Sequence, residues 1–144
     1  MKSFEAGSIK RTIVIGLERG DEVLGSVEKA IAEHNIQQGV IVSGIGALSR
    51  AVYHRVTTFD EKATDEIITV DSPMELGSMQ GFISDGMPHI HVTLYDLEGN
   101  GFSGHLEPGS IVLYLGEIVI LEFEGGDIVR KPNPFGIKLL AKKS

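Results

Sequence analysis

From Gly39 onward the chain is cut into apolar runs too short to stand as helices. Segments 39–43, 51–57, 67–70, 75–83, 89–95, 102–106, 111–115 and 118–123 are rich in β-branched or aromatic residues and are separated by Gly, Pro, Asp or Asn clusters. That is the punctuation of strands joined by turns. Upstream, Ile9, Ile13, Ile15 and Leu17 recur at even spacing across 8–17, the pattern of a strand with one buried face. Only the stretch between these regions changes period. There Val23, Leu24, Val27, Ala30 and Ile31 form one apolar stripe opposite Glu22, Ser26, Glu28, Lys29 and Glu33, which predicts an amphipathic helix. Asp21 is its expected N-cap, and Asn35, tolerant of a left-handed backbone, is its expected end.

One helix among eight or nine strands predicts an α+β fold: a strongly curved, mainly antiparallel sheet with the helix packed on one face. Alternating βαβ units are missing, which argues against a doubly wound or barrel enzyme. The segment 130–136 reads as a turn leading into a last apolar stretch, 137–141. With 144 residues, 42% of them hydrophobic and 23% charged, the chain is expected to form one domain, 1–144, rather than a disordered segment.

Composition also removes whole classes of chemistry. The chain has no cysteine, so disulfides, thiolate metal sites and a cysteine nucleophile are out, and any metal must be held by His or carboxylate. Thirteen Lys and Arg against 20 Asp and Glu leave a charge of −7, which repels phosphate backbones unless the bases gather in one patch. Charged residues surround the short Ile13-Val14-Ile15 run, unlike a signal peptide, and no segment approaches the ~18 apolar residues of a membrane span. A cytoplasmic protein with no membrane partner is the expectation.

The densest chemical signal is Pro88-His89-Ile90-His91-Val92 followed by Ser103-Gly104-His105-Leu106, which puts three of the five histidines within seventeen residues. On a strand, His89 and His91 project from one face with Cα atoms about 6.5–7 Å apart. His105 joins them only if the intervening hairpin loop is odd. A three- or five-residue loop with a left-handed glycine would oppose His105 to Thr93 or Tyr95 and bring it to the same face. Three imidazoles can converge on one divalent ion, with nitrogens about 2.0–2.1 Å from zinc. A solvated sheet face and a metal-free polar pocket are the other readings of these residues. Glu75 and Glu117 qualify by residue type as pocket carboxylates that could move protons. Histidine binds metal only when neutral, so such a site should weaken in mild acid.

Other motifs carry less. Ser43-Gly44-Ile45-Gly46-Ala47 has glycines, but a strand pattern follows instead of the helix a phosphate loop requires. His34 and His54 lack partners nearby in sequence and are read as surface or satisfied positions. There is no G-x-S-x-G elbow. Arg130, Lys131, Lys138, Lys142 and Lys143 accompany no nucleic-acid-binding signature and read as solvated charge.

Taken in order, Leu17-Glu18-Arg19-Gly20-Asp21-Glu22-Val23, Ser43 to Ser49, Glu75 to Gly81, His89-Ile90-His91-Val92, Ser103-Gly104-His105-Leu106 and Glu117-Ile118-Val119-Ile120 resemble the PPC (plants and prokaryotes conserved) domain, over roughly residues 8–140. The resemblance implies a compact subunit on a strongly curved sheet that assembles into a homotrimer. It also implies a bound metal, zinc by preference, at His89, His91 and His105. Prokaryotic proteins of this family often carry a DNA-binding label. This chain departs from the pattern in having Ser103 where the family usually has glycine, and in lacking the Arg-Gly-Arg-Pro hook by which plant relatives grip the minor groove.

The expectation is therefore a stand-alone trimeric PPC-type protein that binds a divalent metal and has a regulatory or small-ligand-binding role. DNA association and a metal-dependent hydrolase or lyase are the alternatives.

Overall fold

A computed structural model describes residues 1–143. Its single helix and mostly antiparallel strands are those of the expected α+β class. The order is β1 (Ile9–Glu18), α1 (Val23–Glu33), β2 (Gln38–Val56), β3 (Asp65–Val70), β4 (Met74–Ser84), β5 (Met87–Tyr95), β6 (Gly101–Leu106), β7 (Ile111–Phe123), β8 (Ile128–Pro132) and β9 (Lys138–Lys142). The main sheet runs β1-β7-β2-β4-β5-β6, and β3 pairs with β2. A further pairing of β6 with β2, Tyr53 opposite Leu106 and His54 opposite His105, closes β2, β4, β5 and β6 into a ring.

Helix α1 buries Val23, Val27 and Ile31 in the core beside Ile13 and Leu17 of β1. Each such side chain contributes about 1.5–3 kcal/mol relative to exposure. The N-cap is Glu22, not the expected Asp21. Glu22 accepts from the amides of Leu24 and Gly25 and also from that of Gly109, 3.0 Å away in the turn before β7. The longer side chain reaches helix and turn together, while Asp21 accepts from the Glu18 amide at 2.8 Å. Asn35 ends the helix in the left-handed region, at φ 51°, as its residue type predicts.

Two pairs of expected strands are each one continuous strand. Segments 39–43 and 51–57 lie within β2, and 111–115 with 118–123 within β7. The glycines between them are close-approach positions instead of breaks. Gly46 faces Gly116, and a Cβ on Gly46 would lie 2.4 Å from the Leu115 carbonyl oxygen, at a φ of 156°. Register shifts along the β2–β7 pair bend the strands, as bulges do. The expected turn at 130–136 is shorter, because Ile128–Pro132 and Lys138–Lys142 form a hairpin. Its turn is organised by the Asn133 side-chain oxygen, which accepts from the amides of Phe135 and Ile137 at 3.0 and 2.9 Å.

Candidate metal centre

Strand β5 alternates as its sequence predicts. Ile90, Val92 and Leu94 are buried, and His89 and His91 stand on the other face. Tyr95 pairs with Gly101, so the loop spans the five residues 96–100. Within it Gly99 is left-handed at φ 81°, and Asp96 accepts from the amides of Glu98 and Asn100 at 3.0 and 2.8 Å. The odd loop does bring His105 to the histidine face. Its partner, however, is His91 rather than Thr93 or Tyr95, because β5 and β6 stay paired right up to a loop starting at Asp96.

The result is a row of polar side chains across four strands: Gln80 opposite His91, His91 opposite His105, and His105 opposite His54. Ring centroids of His89 and His105 are 4.8 Å apart, those of His89 and His91 5.3 Å, and those of His91 and His105 5.6 Å. One ring nitrogen from each of the three lies within 4.8 Å of the others. Gly104 makes the last contact possible, since a Cβ there would lie 2.4 Å from the His54 carbonyl oxygen. Strand β6 can lie against β2 only with glycine at this position.

His54 and Glu107 belong to this neighbourhood and were not legible as members of it. His54 stacks on His105 with centroids 4.5 Å apart, and its Nδ1 is hydrogen-bonded to Glu107. With His105 they form a second group whose ligand atoms lie within 4.8 Å of one another. His54 already has its partner, so the freer donor set is His89, His91 and His105. The spacing of His105 and Glu107, two apart, was the available signal for Glu107. For His54 none existed locally, because its contacts come from strand closure about fifty residues away.

Glu75 and Glu117 are not brought to the histidines. Glu75 faces Tyr95, four residues and about 13 Å along β5 from His91. It lines a shallow surface depression with Pro73, Tyr95 and Tyr114. Glu117 is exposed on β7, between Gly16 and Ile45. The carboxylates beside the cluster are Glu107 and, 4.0 Å from His54 Nε2, Asp65.

Burial disfavours charging these imidazoles. His89 is pushed down to about 4, first by burial, then by the Arg130 charge and the neighbouring histidines. His91 is lowered by burial and by His54. His105 is lowered by the same two causes, against an opposing pull from Glu107. All three favour the neutral, ligand-competent form. The acid weakening expected from an ordinary imidazole is therefore displaced downward at His89.

The chain matches the sequence model of the Plants and Prokaryotes Conserved (PCC) domain over residues 4–124. Among solved structures it is similar to a plant- and prokaryote-conserved (PPC) protein of Pyrococcus horikoshii, with 29% identity, a TM-score of 0.83 and 99% of each chain covered. It is also similar to a metal-containing protein of Archaeoglobus fulgidus, with 25% identity, a TM-score of 0.82, and 99% of this chain and 100% of that one covered. A Bacteroides thetaiotaomicron protein provisionally described as DNA-binding shares the fold at 20% identity, TM-score 0.82, over 96% of this chain and 99% of that one. Two bifunctional GlmU proteins from Synechococcus strains are 24% and 23% identical over 80% and 86% of this chain. The chain spans only 17% and 19% of their length.

Proposed function

We propose, for a chain that belongs to the Plants and Prokaryotes Conserved domain family, that His89, His91 and His105 hold one divalent metal ion, zinc by preference. The protein would act as a cytoplasmic, single-domain homotrimer with a regulatory or small-ligand-binding role. The observation that carries this reading is the convergence of three imidazole donors within 4.8 Å on one sheet face. Their lowered proton affinity adds to it. Imidazole suits several divalent metals, and zinc is chosen for its availability and borderline softness. The metal-containing relative from Archaeoglobus fulgidus lends support at 25% identity. Exposed Val14, Ile45, Tyr114 and Leu115 on β1, β2 and β7 supply apolar surface for self-association.

When bound, such an ion supplies Lewis acidity and charge. Hydrolytic or lyase chemistry would also need a carboxylate positioned to move protons, and the two near the cluster, Glu107 and Asp65, both face His54. Ligand binding is therefore favoured over turnover. DNA association draws on the fold neighbours' provisional descriptions, against a charge of −7.

The test is retention. Protein mixed with excess zinc and desalted should keep the ion while folded, and His91→Ala should lose it. Equal retention by wild type and variant would refute the assignment.

A further inference from the structure

Away from the histidines, two bulges interrupt the same face of the sheet. Gly46 stands opposite Gly116 and Leu48 opposite Val112, so Ala47 of β2 alone faces Leu113, Tyr114 and Leu115 of β7. In β4, Leu76 pairs with Leu94 and Ser78 with Thr93, which leaves Gly77 as an extra residue. Bulges re-aim side chains. Tyr114 stands 66% exposed. The Tyr95 ring lies across Gly77 and Gly101, where added Cβ atoms would sit 2.9 and 3.4 Å from its carbons. Glycine on each neighbouring strand is therefore the bed on which this ring rests.

Both rings line a depression of about 190 Å³ together with Ala47, Pro73, Glu75 and Asp96. The row Ala47–Glu75–Tyr95 crosses it. Its two carboxylates differ. Asp96 is fixed by the Asn100 side chain at 2.8 Å and by the amides of Glu98 and Asn100, and these bonds, the Asn100 side chain first, hold it below the usual carboxylate value. Glu75 has no partner among the described residues.

The walls select the kind of ligand. Two carboxylates repel an anion. A calcium ion takes about six to eight oxygens, and rings and aliphatic side chains supply none. An organic cation uses every wall, its charge against Glu75 and Asp96 and its carbon atoms against the tyrosines, whose ring faces attract positive charge. The Tyr114 ring already accepts one cation, the Arg19 guanidinium, 5.9 Å from its centroid. The volume falls below the roughly 300–1,000 Å³ of drug-sized pockets, which suits a single headgroup.

We infer that this depression binds a small organic cation, an alkylammonium or guanidinium group carried by a small molecule, against Tyr95, Tyr114 and Glu75. The site lies about 13 Å along β5 from His91 and stands whether or not the histidines hold an ion.

The experiment is an NMR titration of the full chain, its tyrosine rings isotope-labelled, with tetramethylammonium chloride and, separately, methylguanidinium chloride, each replacing sodium chloride at constant chloride. The chain has three tyrosines. Tyr95 and Tyr114 should shift saturably, while Tyr53, 3% exposed, should stay in place. The salt that saturates at lower concentration identifies the headgroup. Glu75→Gln should weaken binding roughly fivefold, the worth of one exposed ion pair. Tyr95→Leu should weaken it as well, read at Tyr114, and an unmoved Tyr53 signal shows that both variants are folded. Shifts that never saturate, shifts of all three rings together, or unchanged affinity in both variants would overturn the inference. So would a change of oligomeric state in Glu75→Gln by sedimentation, because the cation in the depression would then belong to a second copy of the chain.

Discussion

At the scale of single residues, the site depends on one atom that is absent. Gly104 has no Cβ, and adding one would set it 2.4 Å from the His54 carbonyl oxygen and 2.7 Å from the Tyr53 ring. Backbone and a buried ring cannot yield cheaply, so Gly104→Ala should separate β6 from β2. We expect about 1–3 kcal/mol of destabilisation in urea together with reduced zinc retention; an unchanged urea midpoint and full retention would show that the closure tolerates a methyl group. His89 makes a different prediction. In the folded metal-free chain it takes its proton near pH 4, but in the unfolded chain near 6.5. Between those values the unfolded state binds more protons, so metal-free protein loses stability as pH falls from about 6.5 toward 4. His89→Asn should lose less between pH 7 and pH 4.5 than wild type does. Equal losses in the two urea series would mean that burial does not depress this imidazole. Glu122 works in the same direction in both proteins. Its burial tends to raise it, but hydrogen bonds from Arg11 and Lys10 prevail and hold it below the usual carboxylate value, so the comparison must be a difference.

At the scale of elements, the helix and its cap show how far local rules reach. The apolar stripe from Val23 to Ile31 was legible because helical period is a local property, and β5 was legible because alternation is. Glu22 was not, since half of its role is a bond to Gly109 in a distant turn. Glu22→Ala should cost about 0.5–2 kcal/mol, more than Asp21→Ala, which loses one turn bond; the reverse ranking in urea melts would restore Asp21 as the cap. The same divide runs through the site. His89, His91 and the odd loop that delivers His105 could be read from spacing. The direct opposition of His105 and His91 required knowing where β5 stops, and His54 required the ring closure. Glycines misled where a close crossing looks like a break in sequence: Gly46 opposite Gly116 marks two strands touching, not four strands ending.

At the scale of the whole molecule, the face of the sheet turned away from the core carries both the histidines, on β5 and β6, and exposed Val14, Ile45 and Leu115, on β1, β2 and β7. The family resemblance implies a trimer, so sedimentation should give three times the chain mass, and Val14→Glu should shift it toward the monomer if β1 lies at the contact. A monomeric wild type at micromolar concentration would contradict that assembly. For nucleic acid, the charge of −7 predicts no measurable binding to duplex DNA in dilute buffer. Affinity that falls steeply with added salt would instead reveal phosphate contacts. Among the described residues no helix is long and apolar enough to cross a membrane.

The central claim is that three imidazoles from two neighbouring strands hold one ion. It is tested most directly by anomalous diffraction at the zinc edge from crystals of zinc-loaded protein. We predict one strong peak per chain, about 2.0–2.1 Å from a nitrogen of each of His89, His91 and His105. No peak, or one centred on His54 and Glu107, would contradict it.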